Sequence, residues 1–411
     1  MRPALLSPLY AIRSYREDLA EFDTHTRVLL ISVLVNSIGT GLILPFIVIY
    51  FEESVGIAYT LIGIALGIRG AFDLTFKLVG GYTTDRIGRK PTLVAGILCM
   101  ITSYFLYIMA SDFIGLVIGV IVQGIGIGLF WPSTLSMVDD LVSEEMKDRG
   151  YAIERVARVA GQGLGIALGG FIAVYSYTLL FQLNIAFTTL FLLLVLWKLP
   201  ETKPDTIEDD ESGLRHIIDS IKDPRLTWFA IINIMFAFML SQLFNIIPPY
   251  LNDHLDVSNF LIGNIFLINA ALITWFQMQV TDRVEQTRQL RAFKAGFLLW
   301  IGASLLLFVA VPGLIALICS VLALVLISFA TMVYQPPSIT FVSQLAPDGK
   351  IGAYTSLYSV SYSLGFMIGP AVGGWFLDTA YPSSLWLIIA IMAIITLAGL
   401  QLYDKWLITE T

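Results

Sequence analysis

Gly81-Tyr82-Thr83-Thr84-Asp85-Arg86-Ile87-Gly88-Arg89-Lys90 lies between two long apolar runs, Leu61 to Gly80 and Pro91 to Ala110. A short connector with three basic residues and one acid between two such runs describes a hairpin of a membrane protein. Its positive charges hold the connector on the cytoplasmic side. Gly81 and Gly88 permit a tight turn where side chains would crowd.

The rest of the chain agrees with a bilayer as its solvent. Of its 411 residues 57% are hydrophobic and 13% charged, where soluble domains carry about 25% charged residues. A spanning helix needs roughly 20 apolar residues, and the apolar runs predict twelve: 27–50, 59–80, 91–110, 113–138, 149–173, 176–198, 226–251, 259–280, 291–311, 314–341, 351–377 and 383–403. An even number puts both termini on one side. Connectors on the N-terminal side, with the span ends that adjoin them, hold 20 of the 24 lysines and arginines, the opposite connectors none, and the remaining four fall deeper inside spans. Both termini are therefore expected in the cytoplasm, with the protein in the plasma (inner) membrane. Residues 1–26 mix charge with apolar residues and have no core long enough for an export signal; a surface-lying segment and a frayed tail both fit.

The chain repeats itself. Tyr50 and Leu61-Ile62-Gly63 recur 200 positions later as Tyr250 and Leu261-Ile262-Gly263. Gly161-x-x-x-Gly165-x-x-x-Gly169-Gly170 recurs 204 positions later as Gly365-x-x-x-Gly369-Pro370-x-x-Gly373-Gly374. The organisation predicted is an N-terminal cytoplasmic segment 1–26, a six-helix half 27–198, a linker 199–225, a second six-helix half 226–404 and a tail 405–411. The linker is acidic from Asp205 to Glu211, and Leu214, Ile217, Ile218 and Ile221 then follow at the spacing of an amphipathic helix. The fold class is an all-α membrane protein of twelve transmembrane helices in two pseudo-symmetric six-helix halves.

The 81–90 stretch resembles the signature of the major facilitator superfamily of transporters, Gly-x-x-x-Asp-Arg-x-Gly-Arg-Lys between the second and third spans. The resemblance implies that Asp85 contacts the start of the eleventh span in the outward-open carrier, with Gly81, Arg86, Gly88, Arg89 and Lys90 completing a cytoplasmic latch. The glycine rows resemble the fifth-span signature of drug/proton antiporters. That implies a seam along which helices rock, built from Gly161, Gly165, Gly169, Gly170, Gly365, Gly369, Pro370, Gly373 and Gly374; Ile166 stands where the family has proline. Asn36-Ser37-Ile38-Gly39-Thr40-Gly41 followed by Pro45 is similar to the first span of the twelve-span drug/proton branch. Gln123-Gly124 is similar to the fourth-span Arg-x-x-Gln-Gly, with Val120 in place of the arginine.

Charges at membrane depth are costly and mark function. Six are predicted there: Arg69, Asp73 and Lys77 at i, i+4, i+8 in the second span, and Glu154, Arg155 and Arg158 in the fifth. Asp73 and Glu154 are the only deep acids and hence the candidate proton carriers. Two flanking cations favour the ionised form of Asp73, so a ladder that breaks and reforms is an equal reading. Four cations against two acids also suit an anionic or zwitterionic ligand. Spacing nominates Asn36, Gln123, Trp131, Asn233, Gln242, Asn245, Asn264, Asn269, Tyr334, Gln335, Tyr358 and Tyr362 as cavity lining, a mixture of amides and aromatics suited to amphiphiles. In a helix bundle each is equally at home as interhelical glue.

No Walker loop, catalytic constellation or metal spacing occurs, and His25, His216 and His254 are scattered, so neither an enzyme nor a cofactor is expected. The sequence predicts a monomeric secondary transporter whose partners are an amphiphilic small molecule, protons and membrane lipid, with no nucleic acid. Proton-coupled export is the leading reading. A lipid or organic-anion translocase is the alternative within transport, and a non-transporting receptor or scaffold is the alternative outside it.

Overall fold

Backbone polar groups in lipid must be satisfied within their own segment, which restricts the spanning structures to helices and closed barrels. This chain uses helices. The computed structural model describes residues 22–143, 146–203, 220–347 and 350–410. The long helices are α1 (Thr24–Ile43), α2 (Tyr59–Arg86), α3 (Arg89–Met109), α4 (Phe113–Leu141), α5 (Lys147–Ala173), α6 (Tyr177–Lys198), α7 (Pro224–Asn245), α8 (Asn259–Glu285), α9 (Gln289–Val309), α10 (Leu314–Leu345), α11 (Ile351–Leu377) and α12 (Ser384–Glu410). Among the described residues eleven helices are long and apolar enough to cross a membrane. The twelfth, α2, has 28 residues, about 42 Å at 1.5 Å per residue. It exceeds the roughly 30 Å hydrocarbon core and is made less apolar by Arg69, Asp73 and Lys77. The protein is an all-α, multi-pass membrane protein with no β-strand among its described residues.

Helix ends depart from the apolar runs in one direction. The 81–90 stretch is mostly helix: α2 continues to Arg86, and Ile87 and Gly88 alone separate it from α3. Gly81 is therefore not a turn residue, and a β-carbon there would meet open space. Gly88 carries the reversal with φ 135°, a conformation reserved largely for glycine. α4, α8, α10 and α12 likewise run past the apolar segments at this same end. Charged residues there extend a helix beyond the bilayer without ending it, since water rather than lipid surrounds them.

At the other end two helices break. α1 stops before Pro45 and restarts as Ile47–Glu53, and α7 passes into Ile247–Pro249 and a π-helical turn Tyr250–His254. A proline lacks the N–H its helix needs and clashes with the preceding turn, and both breaks contain one. Residues 1–21 of the expected segment 1–26 and linker positions Leu214, Ile217 and Ile218 lie outside the described residues, while Thr24–Thr26 already belong to α1; Ile221 is half exposed.

The chain forms two compact units. One comprises the described residues of Met1–Ile43, Phe72–Ala110 and Ile114–Ile207. In it α1 packs on α5 and α6, and α3 on α6, with Tyr107 edge-on to Phe181 and Phe130 edge-on to Phe191. The other comprises Leu44–Ala71, Ser111–Phe113 and the described residues of Glu208–Thr411. There α7 packs on α11, and α9 on α10 and α12. Tyr334 stacks on Phe236 at 3.7 Å between ring centroids, flanked by Phe293 and Phe297. Such pairs contribute about 0.5–1.5 kcal/mol each beyond burial.

Candidate functional site

The first charged cluster surrounds the α2–α3 turn. Arg89 is 6% exposed. Its guanidinium is 3.1 Å from Asp85 and 2.8 Å from Asp140 at the end of α4, and it donates to the Thr84 carbonyl at 3.1 Å. A buried guanidinium with two carboxylates and a carbonyl has most of its donors satisfied, which is the condition for burying it. Glu201, just after α6, accepts from the backbone N–H of Arg89 at 2.8 Å and of Lys90 at 3.3 Å. It thereby caps α3, where a negative charge also meets the positive end of the helix dipole. Lys90 reaches the other way, donating to the carbonyls of Leu196 and Leu199 at the end of α6. Thr202 donates to Asp140 and Lys203 to the Arg86 carbonyl. The segment after α6 is thus strapped over the turn.

Asp140 and Glu201 are members that sequence reasoning missed. Asp140 reads as a solvated rim residue at the end of α4, and Glu201 as the first acid of a linker. The one available signal was the basic turn's need for counter-charges at the same end of the bundle. Glu201→Ala is expected to cost about 1 kcal/mol, the worth of a helix cap. Hydrogen exchange should speed up at the amides of Arg89 and Lys90 and leave mid-membrane amides unchanged; unchanged exchange at those two positions would remove the cap.

Four of the six charges predicted at depth form two ion pairs. Lys77 Nζ lies 2.7 Å from Asp73 Oδ2, one turn away on α2. On α5, Arg158 Nε lies 3.1 Å from Glu154 Oε1, and the Arg158 guanidinium lies over the Trp131 ring at 5.3 Å. Glu154 is 3% exposed. A carboxylate so far from water needs its cation or a proton. A cation over an indole keeps an electrostatic partner when the carboxylate is neutralised.

The glycine rows serve close helix packing. A β-carbon on Gly161 would stand 2.7 Å from the Leu34 carbonyl oxygen, and one on Gly165 would overlap the Ile38 carbonyl. These two therefore seat α5 on α1. Gly365 faces Ala237 and Phe238, Gly369 faces Ser241 and Gln242, and Gly373 faces Gln242 and Ile246; together they seat α11 on α7 and the residue that follows it. Gly374 faces elsewhere, toward the Tyr59 backbone at the start of α2. Gly169 and Gly170 are buried on α5, and Pro370 lies within α11 without ending it.

Several cavity candidates hold helices together. Asn36 accepts from Thr188 of α6 at 3.4 Å, and Gln123 accepts from Tyr107 of α3 at 2.8 Å. Asn269 donates to Ser328 of α10 at 2.6 Å. Asn233 is fully buried, donating to Ser361 at 2.8 Å and to the Tyr358 carbonyl at 3.2 Å, with the buried Tyr334 hydroxyl 3.5 Å from its oxygen. Gln242, Asn245 and Asn264 donate to carbonyls of their own helices. Partly open faces remain at Trp131 in one unit and at Tyr358, Tyr362 and Gln335 in the other. There the Tyr358 hydroxyl pairs with Ser338 at 2.7 Å, Gln335 donates to Tyr362 at 3.1 Å, and Phe366 stacks on Tyr362. A rim of hydroxyls, an amide and rings suits a ligand with a flat apolar body and a few polar groups.

Sequence reasoning also passed over Asp253, Asp378 and Tyr59. Asp378, the residue after α11, accepts from the backbone N–H groups of Tyr59 and Thr60 at 3.1 and 2.7 Å. The Tyr59 hydroxyl donates to Asp253. In sequence the two aspartates are ordinary loop acids and Tyr59 an ordinary first residue of a span, and nothing in their spacing marks them. No group of three or more candidate metal ligands occurs among the described residues.

A family model described as Major Facilitator Superfamily matches residues 29–364. The chain is 25% identical over 389 residues to the uncharacterized MFS-type transporter YttB of Bacillus subtilis, covering 92% of this chain and 95% of that one. It is 25% identical over 377 residues to the multidrug resistance protein MdtH of Salmonella typhimurium, covering 90% and 92%. The solved structure of the nucleoside transporter NupG matches with a TM-score of 0.78 at 13% identity, over 93% of this chain and 100% of that one, a likeness of fold. A twelve-helix bundle with a basic α2–α3 turn and two glycine-seated helix pairs thus agrees with the family match: the chain belongs to the major facilitator superfamily and is a transporter.

Proposed function

We propose that this transporter exports amphiphilic small molecules in exchange for protons, by alternating access of two six-helix halves, 27–198 and 226–404. It works as a monomer in the plasma membrane with both termini in the cytoplasm, so that the basic α2–α3 turn faces inward. The observation that carries the reading is the Glu154–Arg158 pair, whose guanidinium lies over Trp131. Glu154, 3% exposed and 3.1 Å from one guanidinium, supports this reading as the acid through which a proton and a cationic or amphiphilic ligand would compete. The relation to a multidrug resistance protein supports the substrate class. Transport by purified protein in liposomes with a pH-sensitive dye inside tests it. Amphiphilic cations added in turn should trigger proton movement; substrate movement without it removes proton coupling.

A second reading has its own observation. Arg158 over Trp131 offers a cation and a flat ring side by side, which suits an organic anion or a lipid head group. In that case transport depends on Arg69 and Arg158 and not on Asp73 or Glu154.

Asp85 is assigned to the cytoplasmic latch. It is about half exposed and lies 3.1 Å from Arg89. An exposed pair contributes about 0.2–1 kcal/mol, and the latch contact that the resemblance implies, a carboxylate meeting a helix N-terminus, would add about as much again. Asp85→Asn should therefore slow export roughly tenfold, since about 1.4 kcal/mol is a factor of ten, with normal membrane insertion. Export at the wild-type rate by that variant would show that the latch does not use Asp85.

A further inference from the structure

The positive-inside distribution leaves the opposite face of the protein without lysine or arginine in its connectors. The acids there have no cation nearby in sequence, and two of them hold the start of α2. Asp378 accepts from Tyr59 N–H, Thr60 N–H and the Thr60 hydroxyl, so the cap of α2 comes from the end of α11, 318 residues away. Asp253, in the π-helical turn after α7, accepts from the Tyr59 hydroxyl. Glycines bring the backbones together behind these bonds. A β-carbon on Gly63 would overlap the Pro370 carbonyl, one on Gly67 would stand 2.8 Å from the Met367 carbonyl oxygen, and one on Gly374 would overlap the Tyr59 carbonyl. The first half of α2 is therefore held to α11 and to the end of α7 by polar bonds at its tip and bare backbone contact below.

We propose that Asp378 and Asp253 form an outer clasp that closes the carrier by gripping the first turn of α2, and that a proton taken by Asp253 from the outer solution holds it closed, a role that rests on the export reading above. The charged groups around Asp253 all argue for the proton. Glu52 and Glu53 approach it from the short helix after α1, Asp378 lies across Tyr59, and Asp256 follows in the same loop. His254 is the neighbouring base, and burial lowers its proton affinity, so it supplies no compensating charge near neutrality. Desolvation of its carboxyl, with Glu52 and Glu53 beside it, pushes Asp253 up to about 7. The residue as a whole is still exposed to solvent, which gives a proton access.

The sign follows from linkage. The clasped arrangement holds the proton up to about pH 7, whereas a separated, solvated aspartate releases it near its ordinary 3.8. Closure is thus favoured in acid, and the opposing effect of ionisation builds up between those two values and is complete above about 7. In an exporter the consequence is directional: acid outside closes the emptied carrier, and a neutral outer solution lets it dwell open.

The test is a distance across the clasp. Spin labels go on Ser54→Cys and Ala380→Cys, with Cys99 and Cys319 replaced by alanine, and pulsed EPR is recorded in liposomes at pH 5 and pH 8. A single short distance at pH 5 with a second, longer population at pH 8 is the expected result. Asp253→Asn should remove the longer population at pH 8, and Tyr59→Phe should enlarge it. An unchanged distribution between the two pH values, or pH dependence that persists in Asp253→Asn, overturns the clasp. The two readings fail separately. PH-dependent distances in a protein that moves no amphiphile keep the clasp and remove export. Export with pH-independent distances does the reverse.

Discussion

Gly369→Leu is expected to abolish transport and to lower thermal stability in detergent by about 1–3 kcal/mol, the usual range for overpacking. Even one carbon at this position would overlap the Ser241 hydroxyl and stand 2.9 Å from the Gln242 amide nitrogen. Both of those residues are fully buried on α7, so neither has room to turn away. Four carbons force α11 off α7 by more than a side-chain adjustment. In lipid this cannot be recovered by burying more apolar surface, because close packing is what holds the helices together. Gly399→Leu on α12 is the control, since nothing lies within 4 Å of its β-carbon position, and it should behave as wild type. Transport and melting by Gly369→Leu that match the control would mean that α11 does not ride on α7 in the working protein.

The helices were legible in the sequence because lipid imposes the pattern that hydropathy reads. All twelve long helices fall on the apolar runs, and the span 351–377 matches α11 at both ends. What hydropathy misjudged is consistent in kind. It ended α2 at 80 where the helix runs to Arg86, and α12 at 403 where it runs to Glu410. An index of apolarity stops where water begins, whereas backbone hydrogen bonds do not. The breaks in α1 and α7 were missed: hydropathy gives spans 27–50 and 226–251 as unbroken although Pro45, Pro248 and Pro249 lie within them, and a π-helical turn at Tyr250–His254 has no residue signature of its own.

The candidate site was legible where charge and lipid conflict and obscure where they do not. Glu154 and Arg158 announce themselves because an acid and a base at helical spacing in an apolar run are too costly to be incidental, and they are paired in the structure. Asn36, Gln123 and Asn269 carry the same polarity in the sequence as a ligand site would. Their bonds to Thr188, Tyr107 and Ser328 depend on which helix faces which, and spacing along one helix does not contain that. Glu201 and Asp378 were invisible for the same reason: each caps a helix far from it in sequence, α3 and α2.

Glu154→Gln should separate proton movement from substrate movement. The substitution keeps the size of the side chain and a carbonyl oxygen for Arg158, and removes the group that can take a proton. Substrate-triggered proton flux should fall at least tenfold, a loss of more than about 1.4 kcal/mol in the coupled step, while downhill exchange of labelled substrate continues. That persistence distinguishes a coupling defect from a damaged fold. Arg158→Gln is the harsher change, since it leaves Glu154 buried without its cation. A fully buried pair broken in this way costs about 3–5 kcal/mol; Arg158 is 30% exposed, so water already shares in solvating it and the expected cost is smaller. The double variant, Glu154→Gln with Arg158→Gln, should regain most of that stability because the two effects are not additive, yet remain uncoupled. If proton flux instead survives in Glu154→Gln and is lost in Asp73→Asn, the carrier is the α2 carboxylate. If wild-type transport shows no proton flux and is lost on Arg69→Ala or Arg158→Gln, the protein moves an anion, and Arg158 with Trp131 is the place to look for it.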